Sequence, residues 1–191
     1  MSIRLLRETV MAVALLSSAA ANGAEIVLEQ SAVQKLVVES LFNDNGRFYI
    51  QRGACSAFLE NPVVTLTAGR AVIRSHLRAR LGMDFGDNCA GVDLASWATV
   101  SGEPSAQGTT VRLANIRIED VGDANTRVVL DSGFVPTMPG AIELDVLKAV
   151  RSMLQGASGR LQVEVQSLKI DSVRIADNRL SIRFDFKVAG R

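Results

Sequence analysis

Hydrophobic and polar positions alternate most cleanly near the C-terminal end of the chain. There Leu180, Ile182, Phe184, Phe186 and Val188 interleave with Ser181, Arg183, Asp185 and Lys187. A period of two predicts a strand with one buried and one wet face. The same alternation runs through Leu161, Val163 and Val165 and again through Ile170–Ile175, and Asp177-Asn178 is the turn signal that makes a hairpin of the two runs. Toward the other end the period changes. Val33, Leu36, Val37 and Leu41 form a stripe at helical spacing, with Gln34, Lys35 and Glu39 off it, which predicts a helix from about Ala32 to Phe42. Ser31 precedes Gln34 by three, the spacing of a capping box. A short extended stretch, Glu25–Glu29, leads into this helix, Asn43-Asp44-Asn45-Gly46 ends it, and Arg47–Gln51 follows as a short strand.

The middle of the chain reads as long strands whose parity shifts. Ala54–Asn61 is expected to be a loop pinned by Cys55, because Pro62 disfavours a central strand through that point. From Val63 to Leu81 the apolar positions are even at Val64 and Leu66, then odd at Ala71, Ile73, Leu77, Ala79 and Leu81. A bulge or bend near Ala68-Gly69 must absorb a residue. Unbent, this stretch would span on the order of 60 Å, so it must curve or be two strands. Val92–Ser101 is a further strand, Gly102-Glu103-Pro104-Ser105 reads as turn and loop, and Thr110–Val121 is a strand whose parity shifts across Ala114-Asn115. Arg127–Val135 reads as another strand, stopped by Pro136. Ile142, Val146, Ala149, Val150 and Met153 return to helical spacing, giving a second helix over roughly Ala141–Leu154 that Gly156 and Gly159 break. The expected fold class is α+β, with a highly curved antiparallel sheet wrapped around amphipathic helices.

The first residues carry a different message. Arg4 and Arg7 precede a short apolar run, Val10–Leu16, and small residues follow to Ala21. That order is a cleavable secretory signal over residues 1–21, with Ala19 and Ala21 placed for a signal peptidase. The run is too short to span a bilayer, which needs roughly 20 apolar residues. No cysteine lies just after it to carry a lipid, the first being Cys55, so no stable membrane anchor is expected. Residues 22–191 then form a single domain of about 170 residues, expected to be periplasmic or secreted. The chain holds 21 basic and 20 acidic residues, and removing Arg4, Arg7 and Glu8 with the signal leaves the two signs equal. A general affinity for nucleic acid gains nothing from that balance. Cys55 and Cys89 most simply form one disulfide in an oxidising compartment, contributing about 3 to 4 kcal/mol in the chain-entropy model.

Catalytic patterns are missing. The only histidine, His76, lies among arginines and has no carboxylate beside it to orient it. There is no G-x-S-x-G and no H-E-x-x-H, and Glu119-Asp120 reads as a solvated pair. No enzyme activity, metal or cofactor is expected. The most distinctive surface feature is Arg70, Arg74, His76, Arg78 and Arg80, which alternation places on one sheet face about 30 Å long. Phosphate, a lipid headgroup or an acidic glycan could dock on Arg70, Arg74, Arg78 and Arg80, unless neighbouring acidic strands neutralise them.

A capped helix near the mature N-terminus, long bulged strands, a second helix and a terminal Asp-Asn hairpin, in that order over Ile26–Val188, resemble the tubular lipid-binding (TULIP) class of bacterial envelope proteins. YceB-type lipoproteins are the nearest analogue. The resemblance implies one long amphipathic helix cradled by a highly curved sheet, with a groove for an acyl chain or other apolar ligand and no catalytic residues. On this reading Val33, Leu36, Val37 and Leu41 would line the groove opposite Ile73, Leu77, Ile116, Ile118, Ile182 and Phe184. The absent anchoring cysteine and the Cys55/Cys89 pair depart from the lipoprotein pattern. The alternative is an envelope interaction or structural protein with a filled core, docking an acidic partner through the arginine face.

Overall fold

Alternation does decide most of the architecture. The computed structural model describes residues 23–136, 142–157 and 163–190, so residues 1–21 and the ends of some expected elements lie outside the described residues. In chain order the elements are β1 (Ala24–Glu29), α1 (Gln30–Leu41), β2 (Arg47–Gln51), β3 (Ala57–Thr67), β4 (Arg70–Phe85), β5 (Asn88–Gln107) and β6 (Thr110–Val121). They continue with α2 (Ala124–Val129, extended by a π-helical turn over Leu130–Phe134), β7 (Glu143–Asp145), α3 (Val146–Ala157), β8 (Val163–Ala176) and β9 (Arg179–Gly190). Two antiparallel sheets result: a strongly curled six-stranded half-barrel in the order β2-β3-β4-β5-β6-β7, and a three-stranded sheet β1-β9-β8. Apolar side chains from α1, both sheets, the α2 region and α3 meet in one core that includes Val37, Ile73, Phe134, Val146 and Ile182.

The parity shifts correspond to real irregularities of the backbone. Ala68 (φ 49°) and Gly69 (φ 76°) form a tight turn between Thr67 and Arg70, so the stretch from Val63 is two strands of a hairpin. Asn115, at φ 50°, marks a bulge in β6 opposite a shift in β5 between Ser101 and Glu103. Asp177 and Asn178, both at positive φ, close the β8–β9 hairpin.

Four expectations need correction, each for a physical reason. First, the segment expected to be a loop becomes strand β3 from Ala57 onward. Pro62 is tolerated because it falls at a bulge, where the pairing with β4 shifts between Glu60 and Val63, and past the end of β2, whose last partner along β3 is Glu60. Second, Gly102-Glu103-Pro104-Ser105 is no turn. β5 runs on to Gln107, and Pro104 fits where β5 has passed the end of β4, since Gly102 is paired with Ala71 near that strand's first residue. Third, the expected strand Arg127–Val135 is helical. Asp123 caps it by accepting from Thr126 N at 3.0 Å, and Thr126, Leu130 and Phe134, four apart, are all fully buried. Fourth, the second helix starts at Val146, because Glu143–Asp145 pairs with Thr110–Arg112 as β7 and Asp145 caps α3 through Lys148 N at 2.9 Å. Ala141 lies outside the described residues. Among the described residues no single long helix dominates: α1 and α3 have twelve residues each.

The expected capping box at α1 is also not made. Glu29 occupies the cap position without a side-chain bond. Gln34 turns instead to β3, donating from Nε2 to Pro62 O at 2.9 Å and accepting from Val64 N at 2.6 Å. Its side-chain amide thus takes the place of a strand peptide where β2 has ended, and Gln30 Oε1 accepts from Leu66 N one step further along at 3.5 Å. These bonds hold α1 against the edge of the half-barrel and satisfy polar backbone groups beside the buried Val64 and Leu66.

At the opposite end β4 and β5 outrun the sheet as a two-stranded arm. β3 pairs with β4 only as far as Ala57 with Ala79, whereas β4 and β5 stay paired to Phe85 and Asn88. A Cβ on Gly82 would lie 2.2 Å from Ala90 O, so the strands approach at a distance that requires glycine. The Cys55–Cys89 disulfide, Cα–Cα 4.9 Å, ties the arm to the segment before β3.

Gln34→Ala is expected to cost about 2 kcal/mol, since it orphans a backbone N–H beside the core, and Gln30→Ala less than about 1 kcal/mol. Urea unfolding of the two variants checks this; equal losses would remove the edge role of Gln34.

Candidate functional site

Where α1 meets the two sheets, an apolar crevice opens to the surface. α1 contributes Val33, Leu36 and Val37, β3 and β4 contribute Leu66 and Ala71, and β6 contributes Val111 and Leu113. Ile142, Leu144, Ile175 and Leu180 complete the wall, with Pro104 and Arg112 beside them. Leu36, Pro104, Arg112 and Leu144 are half-buried and form the lip, whereas Val37, Leu66 and Leu113 are buried beneath. The room inside is about 30 Å³, counted as space open to the centre of a water molecule. That is enough for a water and too little for an acyl chain.

Of the ten residues expected to line a groove, the structure brings Val33, Leu36 and Val37 to this crevice. Leu41, Ile73, Leu77, Ile182 and Phe184 are packed inside the core at 3% exposure or less, and Ile116 and Ile118 pack half-buried against it. Sequence reasoning missed Leu66, Val111, Leu113, Ile175 and Leu180. Their inward parity was legible; their position opposite α1 depends on the β6 bulge and on which part of the β8–β9 hairpin crosses the helix.

The arginines project from the other side of the same sheet. Arg74, His76, Arg78 and Arg80 are exposed, while the alternating Ile73, Ser75, Leu77 and Ala79 are buried. The stripe therefore does not rim the crevice, whose lining arginine is Arg112. Arg74 lies over the Trp97 ring at 4.5 Å from its centroid. Arg78 Nε meets Glu60 Oε1 at 2.6 Å, and Arg80 Nε stands 3.7 Å from Asp93.

Arg70 has a different setting, with a side chain only 14% exposed. It donates from Nε to Ser101 Oγ at 2.7 Å, from Nη2 to Asn115 O at 2.6 Å, and from Nη1 to Glu103. Asn115 Nδ2 donates to the other oxygen of Glu103 at 2.7 Å, and Ser101 Oγ donates to Glu119. One guanidinium thus links β4, β5 and β6 at the bulge, where regular ladder bonds are interrupted. The hydrogen bond from Asn115, then the charges of Arg70 and Arg117, hold the Glu103 carboxyl below its ordinary value of 4.5 despite some desolvation in the opposite direction.

Among the described residues, no group of three His, Cys, Asp or Glu is placed to hold a metal ion, and no helix is long and apolar enough to cross a membrane. Cys55 and Cys89 are joined as a disulfide, a bond that forms and persists mainly in oxidising compartments. No protein-family model matches the chain, and no curated protein does.

The depressed Glu103 sets a pH dependence. Its bonds stabilise the fold fully above the ordinary carboxylate value of 4.5 and lose their effect as pH falls through the lower folded value. Glu103→Gln should therefore unfold at lower urea than the parent at neutral pH, with the gap closing below pH 4.5. A gap that stays constant down to acid pH would exclude this linkage.

Proposed function

We propose that the chain binds an elongated apolar molecule, an acyl chain or one of similar shape, between α1 and the two sheets, without catalysis. The observation that carries this reading is the convergence of apolar side chains from a helix and both sheets on a crevice that reaches the surface at Leu36. Such convergence is what an apolar ligand needs. The resemblance to the TULIP class points the same way by analogy of fold. The signal-like residues 1–21 and the disulfide support a periplasmic or secreted setting, where a carrier would shield its ligand from water.

Because the crevice holds about 30 Å³, a ligand enters only as α1 parts from β6 and β7. The wall that moves is the one fastened to β3 by Gln34 and Gln30, whose bonds water can replace on opening. The same small volume favours the second reading, an interaction protein whose core is already full. Native mass spectrometry of the exported protein with lipid extraction separates the two readings. The carrier reading expects a co-purifying apolar species and saturable binding of a fluorescent fatty acid, weakened at least ten-fold by Leu36→Trp at the lip. Absence of both the co-purifying species and the fatty-acid binding would leave the filled-core reading.

A further inference from the structure

We propose that the outer face of the half-barrel carries a phosphate-binding site between Arg78 and Arg80, walled by the disulfide-pinned segment Ala54–Ser56. A depression of about 480 Å³ lies there, bounded by Ala54, Ser56, Phe58, Arg78, Arg80, Ala95 and the carboxylate of Asp93. Ala95 stands directly opposite Arg78 on β5, and this small side chain leaves the room that a larger residue would fill.

The charge at this rim is unbalanced. Glu60 is shared between two arginines, meeting Arg78 Nε at 2.6 Å and Arg47 Nε at 3.5 Å. Among the described residues Arg80 pairs with Asp93 at 3.7 Å, and that carboxylate is 81% exposed and strongly screened. Arg78 and Arg80 are themselves 65% and 51% exposed. Two residues apart on one strand face, they stand about 7 Å from each other, a spacing that lets both guanidinium forks turn onto one group. A carboxylate offers two oxygens, which a single fork saturates. A phosphate offers three or more and up to two charges, so it uses both arginines. The neighbouring arginines are committed elsewhere, Arg70 to the bulge network and Arg74 to Trp97.

The wall is built by covalent chemistry. Cys55 lies between Ala54 and Ser56, its bond to Cys89 holds that segment over the arm, and Arg80 N donates to Ser56 O at 2.8 Å. The site lies on the opposite side of the sheet from the crevice and stands independently of the proposed apolar ligand.

Titration with inorganic phosphate at constant ionic strength, followed by calorimetry and amide chemical shifts, tests the site. Vesicles of phosphatidylcholine with and without phosphatidic acid form a second arm that separates a lipid phosphate from a soluble one. The expected result is saturable binding in at least one arm, weakened about ten-fold or more by Arg78→Gln with Arg80→Gln. Arg183→Gln, an exposed arginine on β9 that pairs with Glu25, should leave it unchanged. Replacing both cysteines by serine should weaken binding by loosening the wall; the glutamine variants, changed at exposed positions, keep the test open if the serine variant does not fold. Absence of saturable binding in both arms, or equal weakening by Arg183→Gln, would overturn the site.

Discussion

The curl of the six-stranded sheet is the constraint on which the rest of the molecule depends. A sheet that bends sharply must break its ladder somewhere, and each broken rung leaves polar backbone groups beside an apolar core. Among the places where this chain breaks the ladder are Glu60–Val63 in β3 and Ser101–Glu103 opposite Asn115 in β5 and β6. Long polar side chains serve the backbone at both places: Gln34 pairs the open edge of β3 just past the end of β2, beside the first break, and Arg70 spans the second. Hydrophobic burial favours closure of the half-barrel over the core, and these two residues remove the polar cost that would otherwise oppose it.

This explains which parts of the fold were legible in the sequence. Alternation and turn residues announced β6 with its bulge, the β8–β9 hairpin and a break at Ala68-Gly69 that left open whether the strand bends or turns, because period and positive φ are local properties. Proline misled twice. At Pro62 and Pro104 a strand continues because a bulge or a missing neighbour excuses the absent N–H, and no local pattern records where neighbouring strands stop. The helix after Asp123 was hidden for another reason. Val128, Leu130 and Phe134 share one parity, so the segment fits a period of two as readily as it fits Thr126, Leu130 and Phe134 on a helix face.

The same limit separated the site residues. Gln34 was read as half of a capping box and Arg70 as one of an exposed row, both from spacing along the chain. Their partners, Pro62 and Val64 for one and Ser101, Glu103 and Asn115 for the other, are distant in sequence. Which inward apolar residue fills the core and which lines a crevice is likewise decided by long-range crossing. Leu66, Ile175 and Leu180 reach the crevice for that reason, whereas Ile73 and Ile182 are sealed at the centre.

A crevice this small with a polar-fastened wall would set a length requirement on the proposed apolar occupant. Releasing Gln34 exchanges two hydrogen bonds for water at a net cost of about 1 kcal/mol each. Uncovering the buried Val33 and Val37 and the covered half of Leu36 adds roughly 6 kcal/mol together. Opening therefore costs on the order of 8 kcal/mol. Each methylene taken from water contributes about 0.8 kcal/mol, so a chain of about ten methylenes offsets the opening and a short apolar solute does not. Part of the uncovered surface is covered again by the ligand, which lowers the threshold without removing it. On the proposed carrier reading, these energetics favour long acyl chains over small hydrophobic molecules.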